Sequence, residues 1–114
     1  MILRKAKTEA EKEAEKDAED YKKIRDIFLH FEDEGLVQGN DRSFYTKEEW
    51  ADRGEDYCND SPIVMCFEGD WYMKFNYHDP DSHQIMEQVS ERLKEIGYYY
   101  EQGHAWNCGF YLID

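Results

Sequence analysis

Period-two alternation is clearest in Ser61–Tyr77, where Trp71, Met73, Phe75 and Tyr77 share one side of an extended chain and Tyr72, Lys74 and Asn76 the other. Ile63–Phe67, just before, is apolar on both sides. Branched and aromatic side chains of this kind suit a pleated, half-buried surface. The pattern predicts two strands, Ile63–Phe67 and Trp71–Tyr77, closed into a hairpin by a tight turn at Glu68-Gly69-Asp70. Loop length leaves the register open, because one residue more or less exchanges the two faces. A second hairpin is predicted from Tyr98–Gln102 and Trp106–Ile113 around Gly103. In its last strand Trp106, Cys108, Phe110 and Leu112 alternate with Asn107, Gly109 and Tyr111, which predicts one covered side.

Elsewhere the spacing is helical. Residues 4–34 read as one long helix stopped by Gly35, with Ala, Glu and Lys dominating its first half. From Tyr21 onward, Tyr21, Ile24, Ile27, Phe28 and Phe31 form a docking stripe, whereas the first half offers only Ala6, Ala10, Ala14 and Ala18. Residues 1–20 are therefore expected to project as a charged helical arm from a single domain spanning 21–114. Leu36–Gln38 predicts a short strand. Thr46-Lys47-Glu48-Glu49 matches a capping box and opens a helix of about two turns that carries Trp50 and ends at Gly54. Asp79-Pro80 predicts a further helix start, with Ile85, Met86, Val89, Leu93 and Ile96 as the buried stripe and Gly97 as the stop. Together these predict an α+β fold: an antiparallel sheet of about four strands in two hairpins, two helices packed on one face, a long N-terminal helix and a short extra one.

Charge changes the picture most. The chain has 114 residues, 27 acids, 14 lysines and arginines and a formal net charge of −13. Residues 35–114 hold sixteen acids against six bases, a net of −10. A globular part so charged repels phosphate, which excludes direct nucleic-acid binding and anionic membranes and favours basic partners. No apolar run approaches the ~18 residues of a membrane span. Three cysteines, Cys58, Cys66 and Cys108, without a CxxC spacing, read as reduced thiols, and a cytoplasmic location is expected.

Chemistry-bearing motifs are few. His78 with His83, or His104 with Cys108, lacks the spacing of a dedicated metal site, so no metal and no cofactor is expected. Cys58 sits in the acidic loop Glu55–Asp60, where its thiolate is disfavoured, and Cys66 and Cys108 lie within apolar strands. With no Gly-x-Ser-x-Gly motif and no phosphate-cradling loop, no catalytic residue is assigned and the chain reads as a non-enzyme.

What remains is the acidity itself, interleaved with Tyr and Trp. Carboxylates one helical turn apart stand ~6 Å from each other, comparable to successive phosphates of a nucleic-acid strand. The expected function is that of a non-catalytic inhibitor occupying a basic, nucleic-acid-binding surface of a larger protein. The expected contact residues are Glu48, Asp52, Glu55, Asp56, Asp70, Glu87, Glu91 and Glu95, with Trp50 and Tyr99 (in the Tyr98–Tyr100 run) as hydrophobic anchors. In size, acidity and aromatic content the chain resembles the small proteins that phages carry against host defences, DNA mimics and anti-CRISPR inhibitors among them. That resemblance rests on no shared motif and implies no residue role. Two alternatives stand beside it: an adaptor or oligomerising module, a homodimer included, acting through the N-terminal helix, and a small enzyme or ligand-binding domain on the aromatic sheet face.

Overall fold

The computed structural model describes residues 6–114. Arg4 and Lys5, at the expected start of the long helix, lie outside the described residues. The elements run α1 (Glu9–Asp33), β1 (Arg42–Thr46), α2 (Lys47–Asp52), β2 (Ile63–Phe67), α3 (Gly69–Asn76), α4 (Pro80–Glu95), β3 (Tyr98–Gln102) and β4 (Asn107–Leu112). The strands form one antiparallel sheet in the order β1-β2-β4-β3. This is the α+β class the sequence predicts, with α1, α3 and α4 on one face.

The caps follow from local chemistry. Thr8 accepts from the Glu11 N–H at 3.1 Å and starts α1 at Glu9, so residues 6–8 of the expected 4–34 helix are not helical. Thr46 and Glu49 form the full reciprocal capping box. Asp79 caps Ser82 ahead of Pro80, and Gly97 follows the end of α4.

One predicted hairpin is overturned. Trp71–Tyr77 is not a strand; Gly69–Asn76 is a helix, and Glu68-Gly69-Asp70 is a strand-to-helix connection in which Gly69 takes φ 59°. The reason is a degeneracy of spacing. Residues 71 and 75 share a face in a strand and also in a helix, so Trp71 and Phe75 face the core either way. Met73, which only the strand would bury, is exposed. Phe75 stacks on Phe67 with ring centroids 4.2 Å apart, and Trp71 meets Phe28 edge-on at 5.0 Å. Both neighbours of β2 are already taken: β1, at Arg42–Thr46, and β4. The short strand expected at Leu36–Gln38 is therefore replaced by one a few residues later, while Val37 is simply buried.

The last strand is also not one-sided. Cys108 and Phe110 face the helices, and Asn107 and Gly109 on the other side are buried too. They are covered because β4 is central and the loop after α2 folds back over it. Gly109 permits this. A Cβ there would stand 3.0 Å from the Cys58 Cβ and 2.8 Å from the Tyr111 hydroxyl.

Two buried polar ties fix the helices to the sheet. The Glu32 carboxylate accepts from Arg42 at 2.9 and 2.8 Å and from the Trp71 indole at 2.9 Å, joining α1, β1 and α3. Asp20 is buried and accepts from the Tyr98 hydroxyl and, at 2.7 Å, from Lys16. Burial pushes both carboxyls up, but the hydrogen bonds and neighbouring cations outweigh it and leave both below the ordinary carboxylate value.

Candidate functional site

The sheet divides the molecule into a helical face and a loop face. Cross-strand register assigns the side chains: Phe44, Met65, Cys108, Phe110 and Tyr100 toward the helices, and Tyr45, Val64, Gly109, Tyr111 and Tyr99 toward the loop. The expected contact residues fall on both sides. Glu87, Glu91 and Glu95 are exposed along α4, over the helical face. Glu48 and Asp52 are exposed on α2, and Asp56 on the loop that follows it, around the other side.

Six of the eight acids, Glu48, Asp52, Asp56, Glu87, Glu91 and Glu95, make no ion pair among the described residues. The other two are engaged internally. Glu55 meets Arg53 at 3.3 Å. Asp70 binds Lys74 at 3.0 Å and accepts from the Gln38 N–H at 2.9 Å, pinning the loop before β1 to α3. The two groups of open acids lie on opposite sides of the sheet and do not form one continuous footprint.

The aromatic anchors separate as well. Trp50 is fully buried, its indole N–H donating to the Tyr57 carbonyl at 2.6 Å and its ring against Tyr45 at 5.6 Å. It is a core residue of the loop side. Tyr98 is buried by its bond to Asp20, and Tyr100 half-buried against Phe75. Tyr99, in contrast, is 42% exposed and sits 5.9 Å from Tyr111.

Around Tyr99 the loop face carries a connected aromatic band that the sequence pattern did not single out. The Tyr111 hydroxyl and Cys58 both close over Gly109, and the neighbouring Tyr57 meets His104 edge-on at 4.9 Å. His104 stacks on Trp106 at 5.1 Å and 11°. Tyr57 and Trp106 are 52% and 37% exposed. Glu101, opposite Gly109 on β3, and Asp60 are exposed beside Tyr111, and neither makes an ion pair among the described residues. No spacing rule could have found this band. Tyr57 and Trp106 are far apart in sequence, and only the fold of the 53–62 loop across β4 joins them. Ser61 locks that fold: fully buried, it donates to the Ile63 carbonyl and accepts from the Phe110 N–H at 2.8 Å.

The same face holds an open cleft of about 370 Å³ lined by Asp41, Arg42, Cys66, Glu68, Arg53 and Trp106. Its two arginines already serve Glu32 and Glu55, so it offers no uncompensated charge to an anion. All three thiols are pushed up, chiefly by burial: Cys66 to about 11, Cys58 by burial and then by Glu101, and Cys108 by complete burial. None has the depressed pKa of a nucleophilic cysteine. His104 lies on the loop face while Cys108 faces the helices, so those two do not converge. Among the described residues no group of three or more His, Cys, Asp and Glu is placed to hold a metal ion. No helix among them is long and apolar enough to cross a membrane. No family model, curated protein or solved structure matches the chain.

Proposed function

We propose that this chain is a non-catalytic acidic protein that binds a larger basic protein and inhibits it by occupying the surface that would otherwise hold nucleic acid. The observation that carries this reading is the set of exposed acids that make no ion pair among the described residues, on a chain of net charge −13. A solvated surface in a stable small domain usually interleaves both signs. Here the lysines and arginines of the globular part are few and mostly engaged internally, so the negative potential is left for a partner. The α4 row Glu87, Glu91, Glu95 supplies phosphate-like spacing on a rigid element. The resemblance to anti-defence proteins of phages supports the same reading through composition. The test is affinity capture from host lysate at low and at high salt, followed by displacement of nucleic acid from the captured protein. Capture that fades with salt and competes with nucleic acid fits the proposal. Capture indifferent to salt excludes it, because exposed charges are screened within about 10 Å at 0.1 M.

A second reading is favoured by one observation. Ala14, Ala18, Tyr21, Lys47 and Pro62 line a largely apolar groove of about 250 Å³ between α1 and α2. An adaptor acting through α1 would place a partner's helix there. Ala14→Glu in the full chain separates the two readings: it removes partner capture by the groove and leaves charge-driven capture in place.

A further inference from the structure

The arginines of the described residues share one arrangement. Each arginine among the described residues lies over an aromatic ring: Arg25 over Tyr21 at 5.7 Å, Arg42 over Phe44 at 5.1 Å, Arg92 over Phe31 at 5.4 Å, and Arg53 over Tyr45 at 5.0 Å and Trp50 at 5.2 Å. Three of the four also meet a carboxylate: Arg25 with Asp26 at 3.4 Å, Arg42 with Glu32 at 2.8 Å and Arg53 with Glu55 at 3.3 Å. A planar guanidinium can lie on a ring face while its edge donates to an acid, which an ammonium does less well.

The loop face carries the same combination without the arginine. Tyr57, Trp106 and Tyr99 are exposed and linked through His104, Cys58 and Tyr111; Asp60 and Glu101 lie near Tyr111, and exposed Asp56 precedes Tyr57 in the chain. None of these rings lies under a cation and none of these acids makes an ion pair among the described residues. Beside them Asn107 is fully buried, accepts from the His104 N–H through its side-chain oxygen, and has no acceptor among the described residues for its amide NH2. That donor is sealed beneath the 103–106 turn, so the exposed surface is made by the rings and acids around it. A second copy of the chain does not fit as occupant: a net charge of −13 repels its own kind, and its described arginines are already stacked.

We infer that the loop face is the partner-binding surface and that it recognises an arginine-bearing segment, Tyr57, Tyr99 and Trp106 stacking guanidinium groups while Asp56, Asp60 and Glu101 accept their N–H donors. This rests on the reading of the chain as a binder of basic proteins and assigns the contact to one side of the sheet. The α4 row then contributes long-range attraction, and the arginine-specific contact belongs to the loop face.

The experiment titrates the isotopically labelled full chain with nona-arginine and with nona-lysine at low salt, following amide and indole resonances. The expected result is binding of nona-arginine roughly tenfold tighter than nona-lysine, from stacking on about three rings, with shifts centred on residues 56–60, 99–101 and 104–106. Trp106→Ala and Tyr99→Ala each weaken nona-arginine by roughly threefold to fivefold and narrow the preference over lysine. Should Trp106→Ala disturb the turn, Glu101→Gln reads the same surface without removing a ring. Neutralising Glu87, Glu91 and Glu95 together to Gln weakens both peptides alike and leaves the arginine preference intact. Equal affinity for the two peptides, or shifts centred on α4, overturns the inference while the basic-partner reading stands. Failure of both peptides to bind overturns the two together. Self-association through the same resonances replaces the foreign segment with a second copy and also overturns it.

Discussion

The two sides of the sheet are built on different physics. On the helical face, Phe28, Phe31, Trp71, Phe67, Phe110 and Leu93 are fully buried and interlock ring against ring, and the Glu32–Arg42–Trp71 cluster ties three elements at once. On the loop face, one short helix and an irregular segment lie on a glycine-lined strand, held by Trp50, by the Ser61 hydrogen bonds and by Cys58, whose backbone takes φ 68°. Left-handed backbone at a residue with a Cβ stores roughly 1 kcal/mol of strain. The lesson is a division of labour: the side with deep apolar burial supplies stability, and the side with exposed rings and open acids is free to supply recognition. Binding surfaces commonly lie on loops carried by a rigid scaffold in this way.

The sharpest way to break that contrast is Trp71→Ala. It removes the ring between α1 and the sheet and the donor to Glu32, and is expected to destabilise by about 3–5 kcal/mol in urea unfolding. A loss under 1 kcal/mol would mean that the helical face is not the stability core. Next comes Glu32→Ala, which leaves Arg42 and the Trp71 indole partly buried without their acceptor. The expected loss is about 3 kcal/mol by the same measurement. Gly109→Ala targets the other side. Its Cβ collides with Cys58 and Tyr111, so the loop must lift, with a stability loss of about 1–3 kcal/mol. Limited proteolysis should then cut within 53–62 faster than in the wild type while α1, α3 and α4 stay protected. Uniform susceptibility would show that the two sides unfold as one.

Acid should loosen the two polar ties of the helical side. Asp20 and Glu32 have folded pKa values below their ordinary 3.8 and 4.5. A carboxyl depressed by folding contributes stability that is complete above its unfolded pKa and is lost as pH falls through the folded one. The urea midpoint should therefore hold from pH 7 down to about 4.5 and fall below that. In Asp20→Asn the acid-induced fall should be shallower. The smallest effect expected is chemical: at pH 8 alkylation of the native protein should be much slower than that of the urea-unfolded chain, since Cys66 sits near 11 and Cys108 is sealed. Fast labelling of all three thiols would show the loop opening freely.

Caps, stops and the docking half of α1 were legible because each is a local contest between a side chain and the nearest backbone amides, decided within a few residues. Thr46 with Glu49, Asp79 with Pro80, and the stripe Ile24–Phe28–Phe31 are of that kind. The β3–β4 hairpin was legible for the same reason. The open acids of α4 were legible too, since an exposed i,i+4 row opposite a buried stripe is fixed by helix geometry alone. Trp71–Tyr77 was misread because Trp71 and Phe75 satisfy both periods, and what chose the helix was a fact about another segment: Arg42–Thr46 already held the free edge of β2.

The sequence by itself determined the class of fold, the stop of α1, the bounds of α2 and α4 and the excess of negative charge, because these depend on nearest neighbours and on composition. Only the tertiary structure decided that Trp50 is buried while Trp106 is exposed, that Glu55 and Asp70 are engaged, and that Tyr57, Tyr99 and Trp106 share one surface. Those outcomes depend on which distant segments meet across the sheet. A loop crossing a glycine-lined strand leaves no periodic trace in the chain that forms it.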